Sequence, residues 1–230
     1  MNILVINGSP KGKKSNTIKL TYAFLNGLDA SHIHDVDIIN VASQRIEPCR
    51  GCFGCWKTTP GTCVIRDDMA DIIQKYINAD MIIWSVPLYT YGVPSQTKAL
   101  LDRLLPNYLP EIVINADRII RHNDRYAAKQ KHVLISTCGF CCLHNNYESL
   151  TRQFELLFGK RFVGILCPEG EIFNFPQLSK KTDKYLSAVQ KAGEEYAQNG
   201  SFSKNTQQRL NKLFFLPEAF IQITNERWIQ

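Results

Sequence analysis

The stretch Asn2-Ile3-Leu4-Val5-Ile6-Asn7-Gly8-Ser9-Pro10-Lys11-Gly12-Lys13-Lys14-Ser15-Asn16-Thr17 decides the fold. It opens with an unbroken apolar run rich in β-branched residues, the pattern of a strand covered on both faces. A polar loop of Gly, Ser, Pro and Lys follows. A helix is then expected over about residues 15 to 28, with Leu20, Phe24 and Leu28 on one stripe. Strand, polar turn and helix in this order form the first unit of a parallel α/β sheet.

Outward from this unit the alternation continues. Strands are expected at 36–41, 81–86, 132–136 and 162–167. Helices are expected from Asp67-Asp68 onward, where carboxylates suit the positive end, and at 94–105, 147–158 and 180–199. The apolar positions Met69, Ile72, Ile73, Tyr76 and Ile77 follow the helical period, as do Leu100, Leu101, Leu104 and Leu105. Such alternation gives parallel strands joined by right-handed crossovers. The expected architecture is a flavodoxin-like, doubly wound, five-stranded parallel sheet of order 2-1-3-4-5 with helices on both faces.

The 230 residues accommodate one domain over 1–200, with a cysteine-rich insert at about 48–64, and an extension over 201–230. Two pieces exceed the minimal fold. One is 106–131; the other is 204–230, which carries Phe214, Phe215, Phe220 and Trp228. Either is expected to cover an edge or to build a contact between copies. With 44% hydrophobic and 21% charged residues the composition is that of a globular protein. No run of eighteen apolar residues suggests a membrane span. The first apolar run has no basic region before it and ends in a Gly-Ser-Pro turn, so the expected location is cytoplasmic. The net charge is +6, and Arg118, Arg121, Arg125, Lys129 and Lys131 lie close together. A solvated face explains this run better than a phosphate-bearing partner. No nucleic-acid-binding pattern accompanies it, so no nucleic-acid partner and no membrane partner are expected.

Ligands of open α/β sheets bind outside the carboxyl ends of the strands. Three loops meet there. The first, from Gly8 to Thr17, offers hydroxyls and backbone N–H groups at a helix N-terminus, where an anion is favoured. It is neither a Walker loop, having three residues between Gly8 and Gly12 where four are needed, nor a Gly-x-Gly-x-x-Gly fingerprint. The second, Pro87-Leu88-Tyr89-Thr90-Tyr91-Gly92, brings aromatic rings that can stack on a flat ligand, and Gly92 for close backbone approach. The third, Thr137-Cys138-Gly139-Phe140, is again small, polar and aromatic. A phosphate joined to an aromatic ring system, as in FMN, satisfies all three.

Eight cysteines are present, and Cys49, Cys52, Cys55 and Cys63 are crowded together. The tight spacing has the form of ferredoxin-type ligand runs. Structural zinc, which favours two separated Cys-x2-Cys pairs, and free redox-active thiols remain open alternatives. Cys138, Cys141, Cys142 and Cys167 show no ligand-like spacing as a set.

Taken together, these motifs resemble the NADPH-dependent FMN reductase and iron-sulfur flavoprotein family. The resemblance rests on Gly8-Ser9-Pro10 with Ser15-Asn16-Thr17, Cys49-x-Gly51-Cys52-x-x-Cys55, and Cys63-x-x-x-Asp67-Asp68-Met69. It extends through Ala79-Asp80 to Pro87-Leu88-Tyr89 and Lys98 with Asp102-Arg103, over about residues 1 to 170. It implies that Ser9, Pro10, Lys11, Ser15, Asn16 and Thr17 form the FMN phosphate loop. Pro87, Leu88, Tyr89, Thr90, Tyr91, Gly92, Thr137, Cys138, Gly139 and Phe140 would surround the flavin ring. It also implies Cys49, Cys52, Cys55 and Cys63 as ligands of a [4Fe–4S] cluster. The implied activity is an FMN-dependent NAD(P)H oxidoreductase, a homodimer or larger homo-oligomer, passing electrons to an unidentified acceptor. The cofactor would carry the chemistry, so no side-chain acid or base is assigned. An FMN electron carrier with no nicotinamide site is the alternative, and a flavin-free binding module is a third reading.

Overall fold

The computed structural model describes residues 1–114, 118–127, 130–159 and 162–228. Lys129 of the basic run and the side chain of Trp228 lie outside the described residues. A parallel sheet runs through the centre: β1 (Asn2–Asn7), β2 (Asp35–Asn40), β3 (Met81–Ser85), β6 (Lys131–Thr137) and β7 (Phe162–Cys167), in the order β2-β1-β3-β6-β7. The two intervening strands, β4 (Tyr108–Ile114) and β5 (Ile120–Asp124), form a separate antiparallel hairpin. Setting that hairpin aside, the order is the expected 2-1-3-4-5.

Alternation along each strand sorts the side chains onto two faces. Leu4, Ile6, Ile82, Trp84 and Leu134 pack with α3 (Met69–Asn78), α4 (Ser95–Asp102) and α5 (Glu148–Phe158). Ile3, Val5, Met81, Ile83, Val133 and Ile135 pack with α1 (Asn16–Leu28) and α6 (Ser179–Asn199). Leu20, Phe24 and Leu28 are all buried in the second group, which accounts for the stripe in the sequence.

One element departs from the sequence expectation, and two pieces that the expectation left open take a definite form. The helix expected over 94–105 ends at Asp102, and a 3-10 turn, Leu105–Asn107, leads into the hairpin. Leu100 and Leu104 are buried, whereas Leu101 and Leu105 are half-buried. The hairpin occupies most of 106–131 and carries exposed Ile112, Ile114 and Ile120. The tail continues beyond α6 as α7 (Lys204–Leu210) and α8 (Pro217–Trp228). Ser203 caps α7 by accepting from the Thr206 N–H at 3.2 Å, and Tyr185 Oη donates to the Leu210 carbonyl at 3.2 Å. No described helix is long and apolar enough to cross a membrane.

Candidate functional site

Strand β1 ends at Asn7, and Asn7 Nδ2 donates to Asn40 Oδ1 at 2.8 Å across to β2. The chain then turns through Gly8, where space is short. A Cβ there would stand 2.1 Å from Thr97 Oγ1 and 2.8 Å from Val86 Cγ1, so only glycine lets the loop lie against α4. Thr97 Oγ1 donates to the Gly8 carbonyl at 3.3 Å and fixes that approach. Ser9 Oγ accepts from the Lys11 N–H at 3.3 Å. Ser15 Oγ accepts from the Ile18 N–H at 3.1 Å, which makes Ser15 the N-cap of α1. Its hydroxyl accepts from the helix and keeps its own hydrogen to donate, while the side chain is not among those lining the cleft.

The cleft itself encloses about 100 Å³. Ser9, Lys11, Asn16 and Thr17 form one side, Pro87, Leu88 and Tyr89 a second, and Thr137, Cys138 and Gly139 a third. The loops are joined rather than merely adjacent. Thr17 Oγ1 and Thr137 Oγ1 share a hydrogen bond of 2.7 Å, and the Leu88 N–H donates to the Thr137 carbonyl at 2.9 Å. Asn16 Nδ2 donates to the Gly170 carbonyl at 2.9 Å, while its Oδ1 is buried without a partner. An unmet acceptor is costly unless a ligand or water supplies a donor. The α1 N-terminus and Lys11 suit the phosphate end, so these residues fit FMN.

The second loop turns tightly. Tyr89 and Gly92 exchange N–H···O bonds of 2.9 Å in both directions, and Thr90 and Tyr91 between them have φ of 46° and 62°. Two positive φ values in a two-residue hairpin turn define the type I′ geometry. The sequence assigned Gly92 to close backbone approach to a ligand. Protein atoms leave the space beside Gly92 open, and the left-handed backbone falls at Thr90 and Tyr91. Ser149 Oγ donates to the Tyr91 carbonyl and holds the turn. The Tyr91 and Phe140 rings stack at 6.0 Å, with 15° between planes, across the second and third loops. Pro10, Thr90, Tyr91, Gly92 and Phe140 flank the cleft without lining it.

Two residues lining the cleft, Gly170 and Glu171, were missed from the sequence. They follow β7 at the same sheet edge, so the turn Cys167-Pro168-Glu169-Gly170 carried a signal of the same kind as the other loops. Beside them, the Glu169 N–H donates to the Phe140 carbonyl at 2.7 Å, and the Gly170 N–H to the Cys138 carbonyl at 2.7 Å. Burial pushes the Cys138 thiol up, so it stays protonated at neutral pH and is no ready nucleophile.

The cysteine segment lies between β2 and α3 and contains the short helix α2 (Gly54–Lys57). Cys49 and Cys52 are exposed, Cys63 is half-buried and Cys55 is buried. Burial raises the Cys55 thiol, and the charges of Cys63, Cys52 and Cys49 raise it further, so the four act on one another. The donors are right in kind for a thiolate-ligated cluster. In arrangement, no three or more His, Cys, Asp or Glu among the described residues form a group able to hold a metal ion. Arg103 fixes the base of the segment. Its NH1 and NH2 groups each donate to Asp67 at 2.8 Å, and NH1 also donates to the Glu47 carbonyl at 2.7 Å. Burial raises the Asp67 carboxyl, but Arg103 and the N–H groups of Glu47 and Met69 outweigh it and hold it below the usual range.

Residues 1–139 match the family model for NADPH-dependent FMN reductase. An iron-sulfur flavoprotein of Methanocaldococcus jannaschii is 37% identical over 106 residues, which are 46% of this chain and 53% of that protein. An FMN-dependent NADH:quinone oxidoreductase of Pseudomonas syringae pv. tomato is 32% identical over 111 residues, 44% of this chain and 53% of that protein. The chain thus spans about half the length of each of these relatives. Among solved structures, an FMN-dependent NADH-azoreductase from Bacillus anthracis in complex with FMN superposes with a TM-score of 0.60 at 16% identity. The superposition covers 87% of this chain and 99% of that one, a likeness of fold.

Proposed function

The chain belongs to the NADPH-dependent FMN reductase family, and on that premise we propose that it binds FMN in the cleft and acts as an NAD(P)H-dependent oxidoreductase of the flavin or quinone reductase kind. One observation carries the reading: three separate loops, cross-linked through Thr17 and Thr137, converge on one cleft at the carboxyl edge of the sheet. FMN, when bound, supplies the capacity to take a hydride from a nicotinamide and to release electrons to an acceptor. The chain's own residues bind and orient. The loop from Gly8 to Thr17 holds the phosphate end at the α1 N-terminus. Pro87, Leu88 and Tyr89 face Thr137, Cys138 and Gly139 about the ring. With Cys138 held as a thiol, no side chain is assigned a proton-transfer role.

The test is direct. Titration of purified protein should quench FMN fluorescence at one equivalent per chain. Anaerobic NADPH or NADH should then bleach the flavin absorbance. Tight FMN binding with no reduction by either nucleotide would favour the carrier reading; no FMN binding would defeat the proposal.

The cysteine segment supports a second reading, with Cys49, Cys52, Cys55 and Cys63 as ligands of a [4Fe–4S] cluster. Their spacing favours it. Protein purified without oxygen should contain about four iron atoms and four labile sulfides per chain. Flavin with no iron would leave four free thiols.

A further inference from the structure

The third loop carries thiols that the proposed function does not use. It reads Cys138-Gly139-Phe140-Cys141-Cys142. Cys138 is buried and lines the cleft, and its Sγ donates to the Phe140 carbonyl at 3.8 Å. Cys141 and Cys142 are half-buried, so part of each is open to solvent. They directly follow Phe140, whose ring stacks on Tyr91 and whose carbonyl accepts from the Glu169 N–H at 2.7 Å. The Glu169 carboxylate in turn accepts from the Phe214 N–H at 2.6 Å and the Phe215 N–H at 3.2 Å. The two cysteines therefore stand at the rim of the cleft, on a loop tied to its neighbours and to the tail.

The pair is built unequally. Cys142 Sγ donates to the His144 carbonyl at 3.5 Å and accepts from Asn146 Nδ2 at 3.2 Å. The same amide donates to the Cys142 carbonyl at 3.1 Å, so Asn146 holds both the sulfur and the backbone of Cys142. The Asn145 N–H donates to Glu148 Oε1 at 2.7 Å and ties this turn to α5. Cys141 lacks such a clamp. Burial raises its thiol, and the charge of Cys142 raises it further, so it stays protonated at neutral pH. A side-chain hydrogen bond from Cys142 acts on it as well, which places the two sulfurs within reach of one another. Among the described residues these thiols belong to no group able to hold a metal ion.

An accessible thiol with a second thiol beside it is the arrangement that resolves a first oxidation product as a disulfide. Adjacent residues have Cα atoms about 3.8 Å apart, short of the roughly 4.4 Å at which disulfides usually begin. A bridge between Cys141 and Cys142 is therefore strained and easily reduced, as labile disulfides are. We propose that Cys141 and Cys142 form a peroxide-oxidised dithiol at the rim of the cleft, which closes reversibly to a disulfide. Cys142 Sγ attacks the O–O bond of hydrogen peroxide, which gives a sulfenic acid on Cys142 and one water. Cys141 Sγ then attacks the Cys142 sulfur. The S–S bond forms, the S–O bond breaks, and the oxygen leaves as a second water with the Cys141 proton. The two sulfurs lose two electrons and the peroxide gains them. An external dithiol returns both thiols by exchange. Neither flavin nor nicotinamide enters these steps, so the proposal stands apart from the FMN reading.

The experiment treats the reduced full chain with limiting hydrogen peroxide, alkylates the remaining thiols and weighs the tryptic peptide 132–152. That peptide carries Cys138, Cys141 and Cys142 and none of the other cysteines. After peroxide it should hold an alkyl group on Cys138 alone, and dithiothreitol before alkylation should restore alkylation of all its cysteines. Fragment spectra of the wild-type peptide assign the positions without a variant. Cys138→Ala should keep the bridge. Cys141→Ser should stop at the Cys142 sulfenic acid, trapped by dimedone, and Cys142→Ser should give neither bridge nor adduct. Full alkylation of the wild-type peptide after peroxide would overturn the proposal. An alkyl group on Cys141 or Cys142 in place of Cys138 would put the bridge on Cys138 and overturn it too. A dimedone adduct on Cys141 in Cys142→Ser would refute the assignment of Cys142 as the first thiol oxidised.

Discussion

Thr90 and Tyr91 hold a conformation that costs an L-residue about 1–2 kcal/mol each. Asn-Gly would make the same turn with less strain. Strain kept at a cleft edge motivates a functional hypothesis. Tyr91→Gly relieves the backbone but loses the stack on Phe140 and adds freedom to the unfolded chain. Thermal stability of the FMN-free protein should change by less than about 1 kcal/mol, while FMN affinity falls several-fold; equal affinity would reduce the turn to a fold element. Gly8 predicts a different pattern. Gly8→Ala forces Thr97 and Val86 aside, which should cost about 1–3 kcal/mol in urea unfolding. It should also weaken FMN about tenfold or more in fluorescence titration, because the displaced loop carries Ser9 and Lys11.

At the scale of elements, the decisive contact is the ion pair of Arg103 and Asp67. Both side chains are essentially inaccessible to water, and together they clamp residues 47 and 65–67 at the two ends of the cysteine segment. Removing one partner of such a pair strands the other charge, at a cost of about 3–5 kcal/mol. Asp67→Asn should lose that much in urea unfolding near neutral pH, and Cys49 and Cys52 should then react with thiol reagents no more slowly than in wild type. The pH dependence follows from the depressed carboxyl. A folded-state pKa below the unfolded value gives stability that is present above the unfolded pKa and lost as pH falls through the folded one. Acid unfolding of wild type should therefore show a contribution in the acidic carboxylate range that Asp67→Asn lacks. An unchanged acid limb would mean that the pair does not govern it.

At the scale of the whole molecule, Glu169 joins the tail to the sheet edge. Burial pushes its carboxyl above the usual range despite the two N–H donors. The sign is opposite to that of Asp67. A raised folded pKa gives stability that is fully present below the unfolded pKa and lost as pH rises through the folded value. Glu169→Gln removes this titration, so the wild-type melting temperature should fall more steeply than the variant's as pH rises from the carboxylate range. Limited proteolysis should cut after α6 faster in Glu169→Ala than in Glu169→Gln, since the amide oxygen can still accept one N–H. Parallel pH profiles in wild type and Glu169→Gln would show that the anchor does not titrate.

The order of strands and helices was legible in the sequence because burial on two faces leaves unbroken apolar runs such as Ile3 to Ile6, and burial on one face leaves a stripe such as Leu20, Phe24 and Leu28. The three loops were legible because ligand sites in open α/β sheets stand at strand ends. The hairpin at 108–124 was not, because its exposed Ile112, Ile114 and Ile120 lack the burial that makes strand patterns regular. What the sequence by itself determined was local: which segments are strands, which are helices, and which turns are rich in Gly, Ser and Lys. Only the tertiary structure decided that Ser15 caps a helix, that Asn16 keeps an unmet acceptor, and that Glu169 pins Phe214 and Phe215 from 45 and 46 positions away. Those facts depend on distances between segments remote in the chain, and local propensity carries no record of them.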